Sequence, residues 1–267
     1  MWLNQGQESR RGMSFFPFSR AGLAGIIFLL IAICPAWAVA KTPVSVFVSI
    51  SPQKYFVERI GGDRVQVDVL VRPEQKPDSL DLTPRQVAHL GRCRLYFLMG
   101  VPFEDAWLPR IQSIYPKLKV VALHSDKLKA VQAAHTEPSH QHEYENPHRW
   151  LSPRWVRFAA DNILQALVQE DPASAVYFRK THRRFIKELI QLDREIKVLL
   201  KPVQNRTFLA YHPAWSHFAK NYGLQEIPIE QEGKEPGPRS LANVVPQGRD
   251  HGVKVVFVQK QYSGKVV

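Results

Sequence analysis

Short β-branched segments alternate with helical segments along most of the chain, and this alternation limits the possible folds more than any other feature. VSVFVSIS (44–51) and VQVDVLVRP (65–73) have the period-two pattern of strands. LYFLMG (95–100) and KVVALH (119–124) are short apolar strands, separated by the helix-like segment FEDAWLPRIQSIYP. Because a βαβ order makes consecutive strands parallel, the sequence predicts an α/β fold with helices on the faces of a mainly parallel sheet.

A long helical region follows these strands. SPRWVRFAADNILQALVQE has Ser152 as its N-cap and Pro153 in its first turn. Between Pro172 and Pro202 the apolar residues recur at spacings of three and four, which predicts an amphipathic helix of roughly 30 residues. A helix of that length spans about 45 Å and can join two lobes as a stiff rod.

Three further strands are predicted after this helix: TFLAYH (207–212), GLQEIPIE (223–230) and VKVVFVQ (253–259). They indicate a second α/β lobe, which we expect to be incomplete because the sequence stops shortly after an apolar strand. The predicted organisation is a signal peptide (1–40), an N-terminal α/β lobe with a His-rich loop (41–153), a helical segment with the long linking helix (154–202) and a truncated C-terminal α/β lobe (203–267).

The first forty residues have the features of a secretory signal peptide. Three arginines precede an apolar run at 21–33, and small-residue cleavage sites end at Ala38 or Ala40. The apolar run is too short for a stable transmembrane helix, so we expect a periplasmic protein. Cys93 is the one cysteine beyond this segment, so a metal site in the mature chain must use histidine and carboxylate ligands.

Histidines are concentrated just before the long helical region. His135, His140, His142 and His148 are four of the ten histidines, and the first three lie in a polar loop with several glutamates. Two interpretations of this loop remain open: a solvated loop without a fixed role, or a low-affinity metal collector.

His148 in NPHRWLSP and His212 in YHPAWSHF occupy matching strand–helix junctions in the two halves of the chain. A single histidine in such a position is more often an N-capping or core-edge residue, but two in matching contexts favour a metal site. His217 lies one position off the i+4 spacing from His212, so we interpret it as a packing residue. Glu235, in the Gly/Pro loop EGKEPGP, belongs either to a turn or to the rim of a cleft.

Two classes of function are disfavoured. The chain has no HExxH, GxSxG, P-loop or GxGxxG motif, so we do not expect an enzyme. Its formal net charge of +12 favours anionic surfaces in general. An exported chain without interleaved aromatic and basic residues is nevertheless not expected to bind nucleic acid.

Four motifs, in their order and spacing, resemble the zinc/manganese class of substrate-binding proteins of bacterial ABC importers: NPHRWLSP, AYHPAWSHFAKNYGL, EGKEP and VKVVFVQKQYS. The resemblance covers about residues 44–262. It implies two α/β lobes joined by a long rigid helix, with the metal ion in the cleft between them. It also implies that the protein captures zinc, rather than manganese, and delivers it to a membrane permease. We expect a monomer.

The resemblance also implies a set of ligands. His148 and His212 match two metal ligands of the family, and a histidine at the third-ligand position is typical of the zinc-type members. The first ligand of the family is a histidine before a TP step, where KPDSLDLTP has Asp78, and aspartate can bind zinc through oxygen. The family's last ligand lies beyond the end of this sequence, so water, Glu143, Glu235 or a loop histidine would have to complete the site.

Three other functions remain open: a periplasmic zinc buffer that acts through the His-rich loop, a decayed non-functional fragment, and a zinc hydrolase with three protein ligands and a water. The hydrolase requires a general base beside the metal, and no residue in the sequence is clearly placed for it. Because metal binding requires neutral imidazole, we expect zinc affinity to fall as the pH drops through the histidine range near 6.5.

Overall fold

Two parallel β-sheets organise the protein. The computed structural model describes residues 42–71, 82–123, 146–230 and 236–259. The strands of the first sheet are β1 (Val44–Val48), β2 (Val65–Val69), β3 (Leu95–Leu98) and β4 (Lys119–Ala122). Those of the second are β5 (Thr207–Ala210), β6 (Gln225–Pro228) and β7 (Val256–Phe257). All pairs are parallel, in the orders β2-β1-β3-β4 and β6-β5-β7, which confirms the predicted α/β class.

The described helices alternate with these strands: α1 (Ser51–Gly61), α2 (Pro84–Leu90), α3 (Pro102–Ile114), α4 (Pro153–Glu170), α5 (Ala175–Leu200), α6 (Ser216–Tyr222) and α7 (Pro238–Asp250). Short 3₁₀ turns lie at Gly62–Arg64, Arg149–Leu151 and Pro172–Ser174. None of the helices in the described ranges combines the length and apolar character needed to cross a membrane.

The first long helix begins where the sequence predicts it, whereas the second begins three residues later and is shorter than expected. Ser152 caps α4, since its Oγ accepts a hydrogen bond of 3.3 Å from the backbone N–H of Trp155. Helix α5 has 26 residues because residues 172–174 form a separate 3₁₀ turn before it. Its apolar stripe, which includes Phe178 and Phe185, is buried against α4 and α1.

The predicted strands are all shortened at their carboxyl ends. VSVFVSIS stops pairing as a strand after Val48, and TFLAYH after Ala210. The residues that follow, such as Ser49 and His212, leave the strand at the edge of the sheet and are buried there. In open α/β sheets this carboxyl edge is the usual place for ligand binding.

Apolar side chains cover both faces of the first sheet. Because side chains alternate along a strand, Val46 and Val48 pack against α1, α4 and α5, whereas Phe47 packs with Tyr96 on the opposite face. The second sheet has a smaller described core, centred on Tyr211, Ile227, Ile229 and Val244. The predicted signal peptide at 1–40 lies outside the described residues, and the residue boundaries of the lobes stay predictions.

Candidate metal centre

His148 and His212 lie side by side, although they are 64 residues apart in sequence. Their Nε2 atoms are 3.2 Å apart, and the ring centroids are separated by 4.9 Å with the rings nearly perpendicular. His212 is 5% exposed and His148 is partly buried. The structure therefore brings together the two histidines that the sequence placed at matching junctions.

The position of His148 follows from the turn that comes after it. Trp150, in the 3₁₀ turn Arg149–Leu151, packs against both apolar clusters of the first lobe, and its ring centroid is 4.8 Å from that of His148. This turn leads directly into the N-cap of α4. The apolar anchor thus fixes the backbone on the carboxyl-terminal side of His148.

Asn146 determines which nitrogen of His148 carries the proton. Its Nδ2 donates to the carbonyl oxygen of Pro213, so its Oδ1 is turned towards His148. That oxygen accepts the backbone N–H of His148 at 3.0 Å and lies 2.7 Å from the ring Nδ1. Because an amide oxygen can only accept, Nδ1 carries the hydrogen and Nε2 keeps a free lone pair.

Glu230 has the same effect on His212. Its Oε2 lies 2.6 Å from Nδ1 of His212, and the glutamate is 3% exposed. A carboxylate accepts this hydrogen, so Nε2 of His212 also keeps its lone pair. A carboxylate bound to the far nitrogen of a histidine is the usual outer partner of a metal-binding imidazole, because it orients the ring and raises its basicity.

The two Nε2 atoms can therefore share a cation. Neither carries a hydrogen in these tautomers, so the two rings cannot hydrogen-bond to each other through these atoms. In a tetrahedral zinc site with Zn–N distances of about 2.0–2.1 Å, two nitrogen ligands lie about 3.3–3.4 Å apart. The observed 3.2 Å is close to this separation. The geometry suits a metal ion held by both histidines.

His148 is held in its neutral, metal-binding form. Burial, together with the neighbouring His212 and His217, lowers the pKa of His148 from 6.5 to about 3. This pKa is lower than the usual histidine value because a charged imidazole would lose solvation and meet two further histidines. The imidazole of His148 therefore stays neutral at neutral or mildly acidic pH, which is the form that can bind a metal ion. The expected fall of zinc affinity with falling pH stays a prediction.

Several residues of the site were not identified from the sequence. Asn146 and Glu230 orient the two histidines. His217, interpreted from the sequence as a packing residue, has its Nε2 2.7 Å from the backbone oxygen of Asn146. Glu226 accepts the backbone N–H of Trp215 at 3.0 Å, and burial raises the pKa of this carboxyl. All four support the segments that hold the histidines.

The remaining predicted ligands lie outside the described residues: Asp78, His135, His140, His142, Glu143 and Glu235. Their roles stay predictions. In the described ranges, no group of three or more His, Cys, Asp or Glu residues has a metal-binding arrangement. The described part of the centre therefore consists of two nitrogen donors with their outer hydrogen-bond partners.

Comparison with known proteins identifies the family of this chain. The family model described as zinc-uptake complex component A, periplasmic (ZnuA), matches residues 46–267. The high-affinity zinc uptake system protein ZnuA of Bacillus subtilis is 27% identical over 228 residues, which cover 80% of this chain and 70% of that protein. A putative metal-binding protein of Chlamydia trachomatis is 28% identical over 241 residues, with 90% and 84% covered.

Solved structures give the same result. A crystal structure of ZnuA aligns with a TM-score of 0.74 at 32% identity, covering 84% of each chain. A ZnuA deletion mutant with zinc bound aligns with a TM-score of 0.73, also at 32% identity and with 84% of each chain covered. These matches confirm the resemblance that the four sequence motifs indicated. Because the family model spans most of the sequence, the chain belongs to the family of the periplasmic zinc-uptake complex component A, ZnuA.

Proposed function

We propose that this protein captures Zn²⁺ between His148 and His212 outside the cytoplasm and delivers it to the membrane permease of an ABC importer. The observation that carries the proposal is the pair of Nε2 atoms 3.2 Å apart, each made available by a hydrogen bond at the opposite ring nitrogen. Zinc is the cargo in this scheme, so the site has to bind it reversibly and perform no chemistry on it.

The donor atoms favour zinc over manganese. Imidazole nitrogen suits zinc, copper and nickel, whereas manganese prefers carboxylate, carbonyl and water oxygens. The B. subtilis relative is a zinc uptake protein by name, and a related ZnuA variant has a structure with zinc bound. Both support zinc as the cargo of this chain.

The two histidines would not contribute equally. Glu230 is a buried carboxylate, so it raises the basicity of His212 more than the neutral amide of Asn146 raises that of His148. His212 is therefore the stronger donor, and His148 is the ligand more easily exchanged. We place Asp78, water or Glu235 in the remaining coordination positions, with His135, His140 and His142 as auxiliary collectors.

A zinc titration tests this proposal. Metal-free protein comprising residues 41–267 is titrated by calorimetry with a competing chelator, beside His148→Ala and His212→Ala. We expect one tightly bound zinc in the parent. Each substitution should weaken binding by more than the roughly 10–100-fold loss that follows removal of an outer hydrogen-bond partner.

His251→Ala is the matched control, because this histidine is exposed and its described hydrogen bonds use only backbone atoms. It should bind zinc like the parent. Weak binding that is indifferent to substitution of His148 and of His212 would show that the cleft does not hold the metal.

A further inference from the structure

Helix α6 (Ser216–Tyr222) connects the two histidine segments through polar side chains. Asn221 donates its Nδ2 hydrogen to Oγ of Ser152, the N-cap residue of α4. His217, on the same helix, contacts the backbone oxygen of Asn146 at 2.7 Å. Helix α6 begins four residues after His212. These contacts therefore attach the segment that follows His212 to the segment that carries His148.

The last residue of α6 is fastened to the long helix α5. The hydroxyl of Tyr222 donates to Oδ1 of Asp193 at 2.9 Å. Asp193 also accepts from Arg154 at 3.3 Å and from Lys197 at 2.5 Å. Tyr222 is 8% exposed and Asp193 is 7% exposed. This cluster joins α4, α5 and α6 at one buried carboxylate.

The charge state of the cluster suits a permanent structural contact. Burial opposes ionisation of Asp193, but its hydrogen bonds with Lys197 and Tyr222 lower its pKa overall. Burial and the hydrogen bond to Asp193 raise the pKa of Tyr222. The carboxylate therefore stays charged and the hydroxyl stays protonated, so the bond between them is charge-assisted.

We propose that Tyr222 is a positioning residue for the metal centre: through Asp193 and helix α6, its hydroxyl sets the separation between His148 and His212. The inference rests on the proposed function, since these histidines are the proposed zinc ligands. The two rings come from segments that are distant in sequence, so the separation of their Nε2 atoms depends on the contacts that join these segments. The contacts of α6 lie where the two segments meet.

The test removes one hydroxyl and leaves the packing unchanged. Tyr222→Phe keeps the ring contact with Phe218, whose centroid lies 4.7 Å away. The matched control is Tyr55→Phe, which removes the hydroxyl of a tyrosine that is 53% exposed on α1. Circular dichroism verifies that both variants fold. Zinc affinity is then measured by calorimetry, and amide hydrogen exchange by mass spectrometry.

Tyr222→Phe should weaken zinc binding about tenfold, because a smaller fraction of molecules has the histidines in the binding arrangement. In the metal-free protein, amide hydrogen exchange at residues 149–151 should become faster. The hydroxyl of Tyr222 bonds to Asp193 and not to this segment, so a change there reports an effect at a distance. Tyr55→Phe should change neither quantity. Unchanged zinc affinity, or unchanged exchange at 149–151, would overturn the inference and leave Tyr222 with a local packing role.

The two readouts separate this inference from the proposed function. If the parent protein itself fails to bind zinc, the proposed function is wrong. The exchange measurement, which uses no metal, then decides by itself whether the Tyr222 hydroxyl holds the His148 segment in place.

Discussion

Replacement of Glu230 tests whether its negative charge, or only its hydrogen bond, supports metal binding by His212. The carboxylate and the imidazole are 3% and 5% exposed, and they are joined at 2.6 Å. Glu230→Gln keeps an oxygen that can accept the Nδ1 hydrogen but removes the charge. Glu230→Ala removes both and leaves a buried donor without its acceptor.

The expected losses of zinc affinity follow from the kind of hydrogen bond that each substitution removes. A hydrogen bond to a charged group contributes about 1.5–3 kcal/mol, against about 0.5–1.5 kcal/mol for a neutral one. The difference, about 1–1.5 kcal/mol, corresponds to about a tenfold loss of zinc affinity for Glu230→Gln. Glu230→Ala also releases the orientation of the ring, so its loss should approach about 100-fold.

The assay is a competitive zinc titration of the parent and both variants, with Glu58→Gln as the control. Glu58 has a side chain that is 48% exposed on α1, so its replacement changes the net charge equally without touching the site. We expect the affinity order parent, then Glu230→Gln, then Glu230→Ala. Parental affinity in Glu230→Gln would refute the role of the charge, and parental affinity in Glu230→Ala would refute any role of this residue.

Three further predictions concern His148 and the His-rich loop. The pKa of His148 is about 3 in the folded protein. The unfolded chain, with a histidine pKa of about 6.5, therefore binds more protons between these values. His148 should therefore lower the free energy of unfolding by at most about 1.4 kcal/mol for each pH unit below 6.5. In urea titrations at pH 7, 6 and 5, His148→Gln should make the free energy of unfolding depend less steeply on pH. Asn146→Ala should weaken zinc binding about tenfold in a chelator competition, because the His148 ring loses its orienting acceptor. Deletion of residues 135–142 should leave the tight site intact in a zinc titration, whereas loss of most zinc capacity would favour the buffer function.

The main architecture could be predicted from local pattern alone. Period-two and short apolar runs indicated every described strand, and Ser152 with Pro153 indicated the start of α4. The limits of this reasoning are at the element ends. Pro172 is compatible with a helix start, but residues 172–174 form a 3₁₀ turn. The difference depends on the hydrogen bonds that Asp171 and Ser174 make after folding.

The candidate ligands were predictable for a different reason. His148 and His212 lie in short motifs with prolines and aromatic residues that fix the backbone locally. The outer partners have no such local signal. Asn146 precedes His148 by two residues, but its role depends on a contact with Pro213, which is distant in sequence and close only in the folded chain.

Glu230 shows which additional information would have been needed. Strands β5 and β6 are parallel neighbours with Ala210 opposite Pro228, and the backbone N–H of Glu230 donates to Tyr211 at 2.7 Å. His212 and Glu230 each lie two residues beyond that last pair, so parallel pairing puts them at the same height on the carboxyl edge. The inference requires knowing that β6 pairs with β5, and hydrophobic patterning does not specify strand order. Local motifs therefore locate the proposed donors, whereas the acceptor that orients His212 becomes visible only once the sheet topology is known.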